Sequence, residues 1–196
     1  GKKTLLVDPF ISANPLASEI NIKTLIADYV LITHGHTDHM LDAEEIVKNT
    51  GAKLISNYEI ISWFESKGLS GHAMNHGGKF DFGFGTVKYV NAIHSSVLPD
   101  GSYGGNPGGF VIWDTFFCIY IAGDTALSQD MAFIPKTCPK LNLAILPIGD
   151  NFTMGYEDAL IACGLIGCDT VLGCHYDTFP PIKIDKNLAA AVFKKK

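Results

Sequence analysis

Short apolar runs rich in β-branched residues alternate along the whole chain with segments of helical spacing. Residues 5–7, 29–33, 53–56, 87–92, 110–113, 116–122, 143–148 and 170–173 have the length and composition of strands. Apolar positions three and four apart predict helices over 43–49, 58–67, 156–165 and 186–194, the last running into Lys194-Lys195-Lys196. Asp42 followed by Glu45 has the spacing of a capping box, and Gly51, Gly68 and Gly167 stand where helices stop. The Gly- and Asn-rich stretches 71–78 and 100–109 predict loops. Strands interleaved with helices predict an α/β domain. No repeat, low-complexity tract or shift in composition divides the chain, so residues 1–196 are expected to form a single domain.

Composition narrows the partners. Apolar residues make up 47% and charged ones 18%, which excludes intrinsic disorder. A chain of 196 residues buries about 70% of the surface that its unfolded form exposes, enough for a sizeable core. Asp and Glu number 20 against 15 cations, giving a net charge of −5, and every cation is Lys. Without Arg there is no bidentate fork for phosphates or guanine edges, so nucleic acid is not an expected partner. The five cysteines (118, 138, 163, 168 and 174) form no C-x-x-C pair, which predicts reduced thiols and a cytoplasmic setting. No apolar run reaches the roughly 18 residues of a membrane span, and no secretory signal opens the sequence.

The chemistry concentrates in His34-Gly35-His36-Thr37-Asp38-His39, directly after the apolar run 29–32. His and Asp are nitrogen and oxygen ligands, and these spacings let a turning loop aim several of them at one point. Further candidates stand at the ends of expected strands: His94 after 87–92, Asp124 after 116–122, and His175 after 170–173. Strand ends are where an α/β sheet presents its functional groups. Together they offer five imidazoles and two carboxylates without a thiolate. That set suits Zn and is compatible with Mn, Fe, Co or Ni.

The stretch from Thr33 to His39 resembles the H-x-H-x-D-H signature of the metallo-β-lactamase superfamily, and Asp8, His94, Asp124 and His175 resemble its remaining motifs in order. Asp8-Pro9-Phe10, Met74-Asn75-His76-Gly77-Gly78 and residues 147–155 resemble one branch of it. That branch consists of small bacterial and archaeal metal-dependent hydrolases similar to ascorbate-6-phosphate lactonase and, more remotely, to a phospholipase D acting on N-acyl-phosphatidylethanolamine. The resemblance implies a four-layer αββα sandwich with metals at one sheet edge. It implies two divalent ions: His34, His36 and His94 on the first, Asp38, His39 and His175 on the second, and Asp124 bridging both. A metal-bound hydroxide would then act on a small ester, lactone or phosphodiester. Members of the branch begin with a further hairpin and continue for about a strand beyond the last helix, and this chain is expected to lack both. A homo-oligomer is compatible with the resemblance.

Asp38, Asp124 and Asp150 are the candidate catalytic carboxylates. Asp150 is read as a proton shuttle, as support for a ligand, or as a turn residue. Asp8 is read either as the partner of a metal-bound His or as a turn residue before Pro9, and Asp42 as an N-cap. Tyr176 is a candidate for substrate contact, and His76 and Asn75 for the border of a pocket. Residues 101–109 are a candidate lid or an ordinary hairpin loop. His72 is read as surface, and Cys174, facing away from the ligand side of its strand, as core. Two other classes stay open: a non-catalytic metal-binding or sensory protein, and a di-iron redox protein.

Overall fold

A computed structural model describes residues 2–194; Gly1, Lys195 and Lys196 lie outside the described residues. The described residues form two compact units, 2–79 with 95–107 and 80–94 with 108–194.

The first unit is built on a parallel sheet in the order β1 (Leu5–Val7), β2 (Tyr29–Leu31), β3 (Lys53–Asn57), β4 (Gly71–Met74). Helices α1 (Thr37–Met40) and α2 (Ala43–Thr50) connect β2 to β3, and α3 (Tyr58–Glu65) connects β3 to β4. Ala43, Ile46 and Val47 form the buried stripe of α2, and Ile60, Ile61 and Phe64 that of α3. With Val30, Ile32 and Leu54 they make one apolar core. Gly51 ends α2 in the left-handed conformation that glycine tolerates best.

The second unit, which begins at Phe80 within β5, is built on a mixed sheet in the order β10 (Val171–Cys174), β9 (Leu143–Pro147), β8 (Cys118–Ile121), β7 (Gly108–Trp113), β6 (Thr86–Asn91), β5 (Lys79–Asp81). Strands β8, β9 and β10 are parallel, whereas β7 runs antiparallel to β6 and β8. Helix α4 (Ile134–Thr137) precedes β9, α5 (Tyr156–Ile166) links β9 to β10, and α6 (Lys186–Lys194) follows. Ala159, Ala162, Cys163 and Ile166 recur at helical spacing on the buried side of α5 and join Tyr120, Ala144 and Leu146 in a second core.

The expected α/β class is therefore observed. Four local expectations are corrected. Residues 71–78 are not all loop, because 71–74 form β4; a Cβ on Gly71 would lie 2.7 Å from Cδ1 of Ile61, so this glycine marks close packing on α3 rather than a turn. Strand β8 starts two residues later than expected, because Asp114 Oδ1 accepts the N–H groups of Phe116 and Phe117 (2.7 and 2.8 Å) and folds them into a turn. His72 is half-buried on β4 rather than on the surface, and burial, followed by the nearby Lys53 charge, lowers its pKa. The capping box is absent. Buried Asp42 makes no side-chain cap; its carboxylate accepts Ile11 N–H and Ser12 N–H and the Ser12 hydroxyl, tying the loop after β1 to the start of α2.

Cys118, Cys163 and Cys168 are buried and Cys138 and Cys174 half-buried, and no disulfide forms among the described residues. No described helix is long and apolar enough to cross a membrane.

This use of Asp42 is testable by urea unfolding. Asp42→Ala leaves two backbone donors in a partly buried loop without their acceptor and is expected to cost about 2–3 kcal/mol. Glu45→Ala, which a capping box would make costly, is expected to change stability by less than about 0.5 kcal/mol. Equal losses in the two variants would restore the capping box.

Candidate metal centre

The ligand cluster of the first unit begins where β2 ends. Ile32 continues the β2 ladder by donating its N–H to Ile55 O (3.0 Å), and Thr33 and His34 follow, fully buried. The chain then turns through Gly35, whose N–H donates to Ser96 Oγ (3.0 Å), while the same hydroxyl donates to Gly104 O (2.8 Å). His36 stays extended as the residue before α1, and Asp38 and His39 follow on that helix's first turn.

Each of the three imidazoles in this cluster is oriented through one ring nitrogen by an oxygen. His34 Nδ1 lies 3.0 Å from Thr33 Oγ1, His36 Nε2 lies 3.3 Å from Ser95 Oγ, and His39 Nδ1 lies 2.9 Å from Asp8 Oδ2. The opposite nitrogens converge on other ligand candidates. His34 Nε2 is 3.0 Å from His36 Nδ1, and His39 Nε2 is 3.6 Å from Asp38 Oδ2. A metal-binding His is typically held this way, with its second nitrogen donating to an oxygen that fixes ring and tautomer.

Asp8 is the hub. Its Oδ1 accepts Thr33 N–H (2.7 Å), and its Oδ2 accepts the Thr33 hydroxyl (2.6 Å) and His39 Nδ1. Donor atoms of Asp8, His34 and His39 lie within 4.8 Å of one another, yet both Asp8 oxygens are committed to Thr33 and His39. Asp8 therefore acts as a brace, which decides between its two readings. Thr33, Ser95 and Ser96 complete the bracing and were not singled out from sequence; their signal is adjacency to His34 and His94.

In the second unit, His94 follows β6, Asp124 follows β8 through Gly123, and His175 follows β10. The buried Asp124 carboxylate draws the two imidazoles together: Oδ2 is 3.0 Å from His175 Nε2 and 3.6 Å from His94 Nε2. The loops are stitched alongside. Ile93 donates its N–H to Thr125 Oγ1, and Ala126 donates its N–H to Ile93 O, both at 3.0 Å. His175 has a positive φ of 54°. A Cβ on Gly149 would collide with the His175 carbonyl oxygen, so glycine is needed there for the strand ends to close up.

The remaining candidates make local contacts. Asp150, at φ 60°, is exposed and its Oδ1 accepts Asn151 N–H (2.8 Å). No hydrogen bond or ion pair joins it to His94, Asp124 or His175 among the described residues. Tyr176 packs against the second core and lines a cavity of about 850 Å³ with Ile148, Val171 and Phe193. His76 bridges Asn75 Oδ1 (3.1 Å) and Pro107 O (2.9 Å). The 101–109 segment is pinned, because Asn57 Nδ2 donates to Gly104 O (2.8 Å) and the Tyr103 hydroxyl to Asn106 Oδ1 (2.7 Å). Cys174 is half-buried rather than a full core residue.

The donor set is that of a hard or borderline divalent cation: imidazoles, three of them braced by oxygens, the buried Asp124 and half-buried Asp38 carboxylates, and no thiolate. Comparison with known proteins agrees. Residues 3–176 match the model of the β-lactamase superfamily domain. A UPF0173 metal-dependent hydrolase of Christiangramia forsetii is 59% identical over 98% of this chain and 85% of its own length. Its counterpart in Flavobacterium johnsoniae is 60% identical over 94% of this chain and 82% of its own length. Among solved structures, Igni18, a metallo hydrolase from Ignicoccus hospitalis, is 36% identical and superposes with a TM-score of 0.86 over 97% of this chain and 82% of that one. The fold is thus of the metallo-β-lactamase class. Within that class the chain belongs to the UPF0173 metal-dependent hydrolase family.

Asp8→Asn keeps the volume but replaces the carboxylate acceptor of His39. A zinc titration against a chelating indicator is expected to show about 10–100-fold weaker binding than wild type. Affinity within about twofold of wild type would remove Asp8 from the bracing role.

Proposed function

We propose that the protein is a two-metal hydrolase acting on the ester-like centre of a small ester, lactone or phosphodiester. The observation that carries this reading is the bracing of His34, His36 and His39 by Thr33, Ser95 and Asp8, an arrangement that serves metal ligands. His34, His36 and His94 would hold one ion; Asp38, His39 and His175 would hold the other, with Asp124 shared. Zn is the metal proposed, on the strength of five imidazoles and two carboxylates. Two divalent ions held there would supply Lewis acidity, which would lower the pKa of a water and polarise the bond to be cleaved.

The protein's own groups do the rest. Asp8 keeps the Nδ1 proton of His39 engaged and so leaves Nε2 as its ligand atom. Asp124 sets the spacing of His94 and His175 from a buried position, where a carboxylate is retained only if cations or hydrogen bonds compensate it. Asp38, a quarter exposed, has a carboxylate that can accept a proton at the water boundary. Asp150, on its exposed turn, is assigned proton transfer between the site and solvent. A small-molecule substrate fits the acidic, Arg-free surface, and the thiols fit a reducing cytoplasm.

The test is turnover of an ester, lactone, thioester and phosphodiester panel by metal-replete protein. Asp124→Ala and His36→Ala are each expected to lose more than about a thousandfold in kcat, and Asp150→Asn about tenfold. Activity is expected to fall as pH drops through the imidazole range, because protons compete with the metal for nitrogen. Metal bound with no turnover of any panel member would favour the sensory reading. Wild-type turnover in Asp124→Ala would refute the ligand assignment.

A further inference from the structure

Strand β5 is the outermost strand of the six-stranded sheet, and its three residues, Lys79, Phe80 and Asp81, are all exposed. Proteins normally blunt such an edge with a charge that repels a second edge of the same kind. Here the charges are instead symmetric about Phe80, with opposite signs one residue to either side. No ion pair engages Lys79 or Asp81 among the described residues; Asp81 uses Oδ1 to accept Gly83 N–H (2.8 Å). Phe80 is 48% exposed, and its ring meets Phe82 edge-on at 4.9 Å.

The backbone defines what can pair with this edge. Phe82 donates its N–H to Gly85 O (3.0 Å) across the turn into β6, so Phe82 directs its amide inward. Alternation along a strand gives Phe80 the same direction and turns the N–H and C=O groups of Lys79 and Asp81 outward. In an antiparallel pair of two such edges centred on Phe80, Lys79 of each copy stands opposite Asp81 of the other, and these residues exchange their outward hydrogen bonds. Phe80 then faces its own copy at the closer, non-hydrogen-bonded position, where side chains approach best. Gly78 falls opposite Phe82 and leaves room for that ring.

We infer that β5 is a self-complementary edge through which two copies of this chain associate, extending the sheet across a two-fold axis by Lys79–Asp81 and Phe80–Phe80 pairing. The contact is isologous, so each charge pair occurs twice. It leaves the ligand-bearing ends of β6 and β8 uninvolved, since Lys79 to Asp81 precede the other end of β6.

Sedimentation velocity of the full chain from about 1 to about 300 µM tests this. Wild type is expected to approach twice the 21.2 kDa mass of one chain. Lys79→Glu alone and Asp81→Lys alone each set like charges opposite one another at both positions and are expected to weaken association about tenfold or more. An equimolar mixture of the two variants re-creates both opposite-charge pairs and is expected to associate like wild type, which also shows that each variant is folded. The double variant Lys79→Glu, Asp81→Lys is expected to self-associate again. A wild type that stays monomeric throughout overturns the inference. So do single variants that associate undiminished, or a mixture that fails to restore association.

Discussion

The candidate centre depends on a single carboxylate used at both oxygens. Asp8 follows β1 with a positive φ of 46°, a conformation that costs most L-residues energy and that Asp tolerates better than most. Its N–H extends the pairing with β2 by donating to Leu31 O (2.9 Å), which brings the side chain against the first residues past β2. From there it accepts the Thr33 amide and hydroxyl and the Nδ1 of His39. Asp42 performs the matching task one turn further on, holding the loop that leaves Asp8 by the amides of Ile11 and Ser12. The half-buried Asp8 shapes the candidate ligand loop, and the buried Asp42 fixes the chain that carries it.

The second unit solves the same problem with backbone conformation. His175, Asp177, Asp150 and Asn151 all adopt positive φ, and they cluster where β9 and β10 end. Residues held in such conformations persist only where surrounding structure over-determines them, and they concentrate at functional sites. Gly149 allows the His175 backbone to approach, and Asp124 collects the imidazoles of His94 and His175. The candidate ligands therefore come from strand ends, while the strain sits in the short connections just beyond them.

Most elements were legible in the sequence because local signals agreed with tertiary packing. The stripes of α2, α3 and α5 and the β-branched runs of β2, β6 and β9 are examples. Strand β4 was not legible, since Gly71 reads as a turn signal until α3 is seen lying against it. The Asp42–Glu45 spacing misled for the converse reason: a local cap lost to two long-range amides. The candidate ligands were legible because chance seldom places three His and an Asp within six residues. The bracing of those ligands was not, because Asp8 meets Thr33 only through parallel pairing of β1 with β2, and Ser95 meets His36 across 59 positions of chain.

The braced imidazoles and the carboxylates of Asp38 and Asp124 are proposed to hold two metal ions. Elemental analysis of protein purified without added metal, repeated after reconstitution with zinc and expressed per chain, tests this most directly. About two equivalents of transition metal per chain are expected. A content near zero that persists after reconstitution would contradict the proposal.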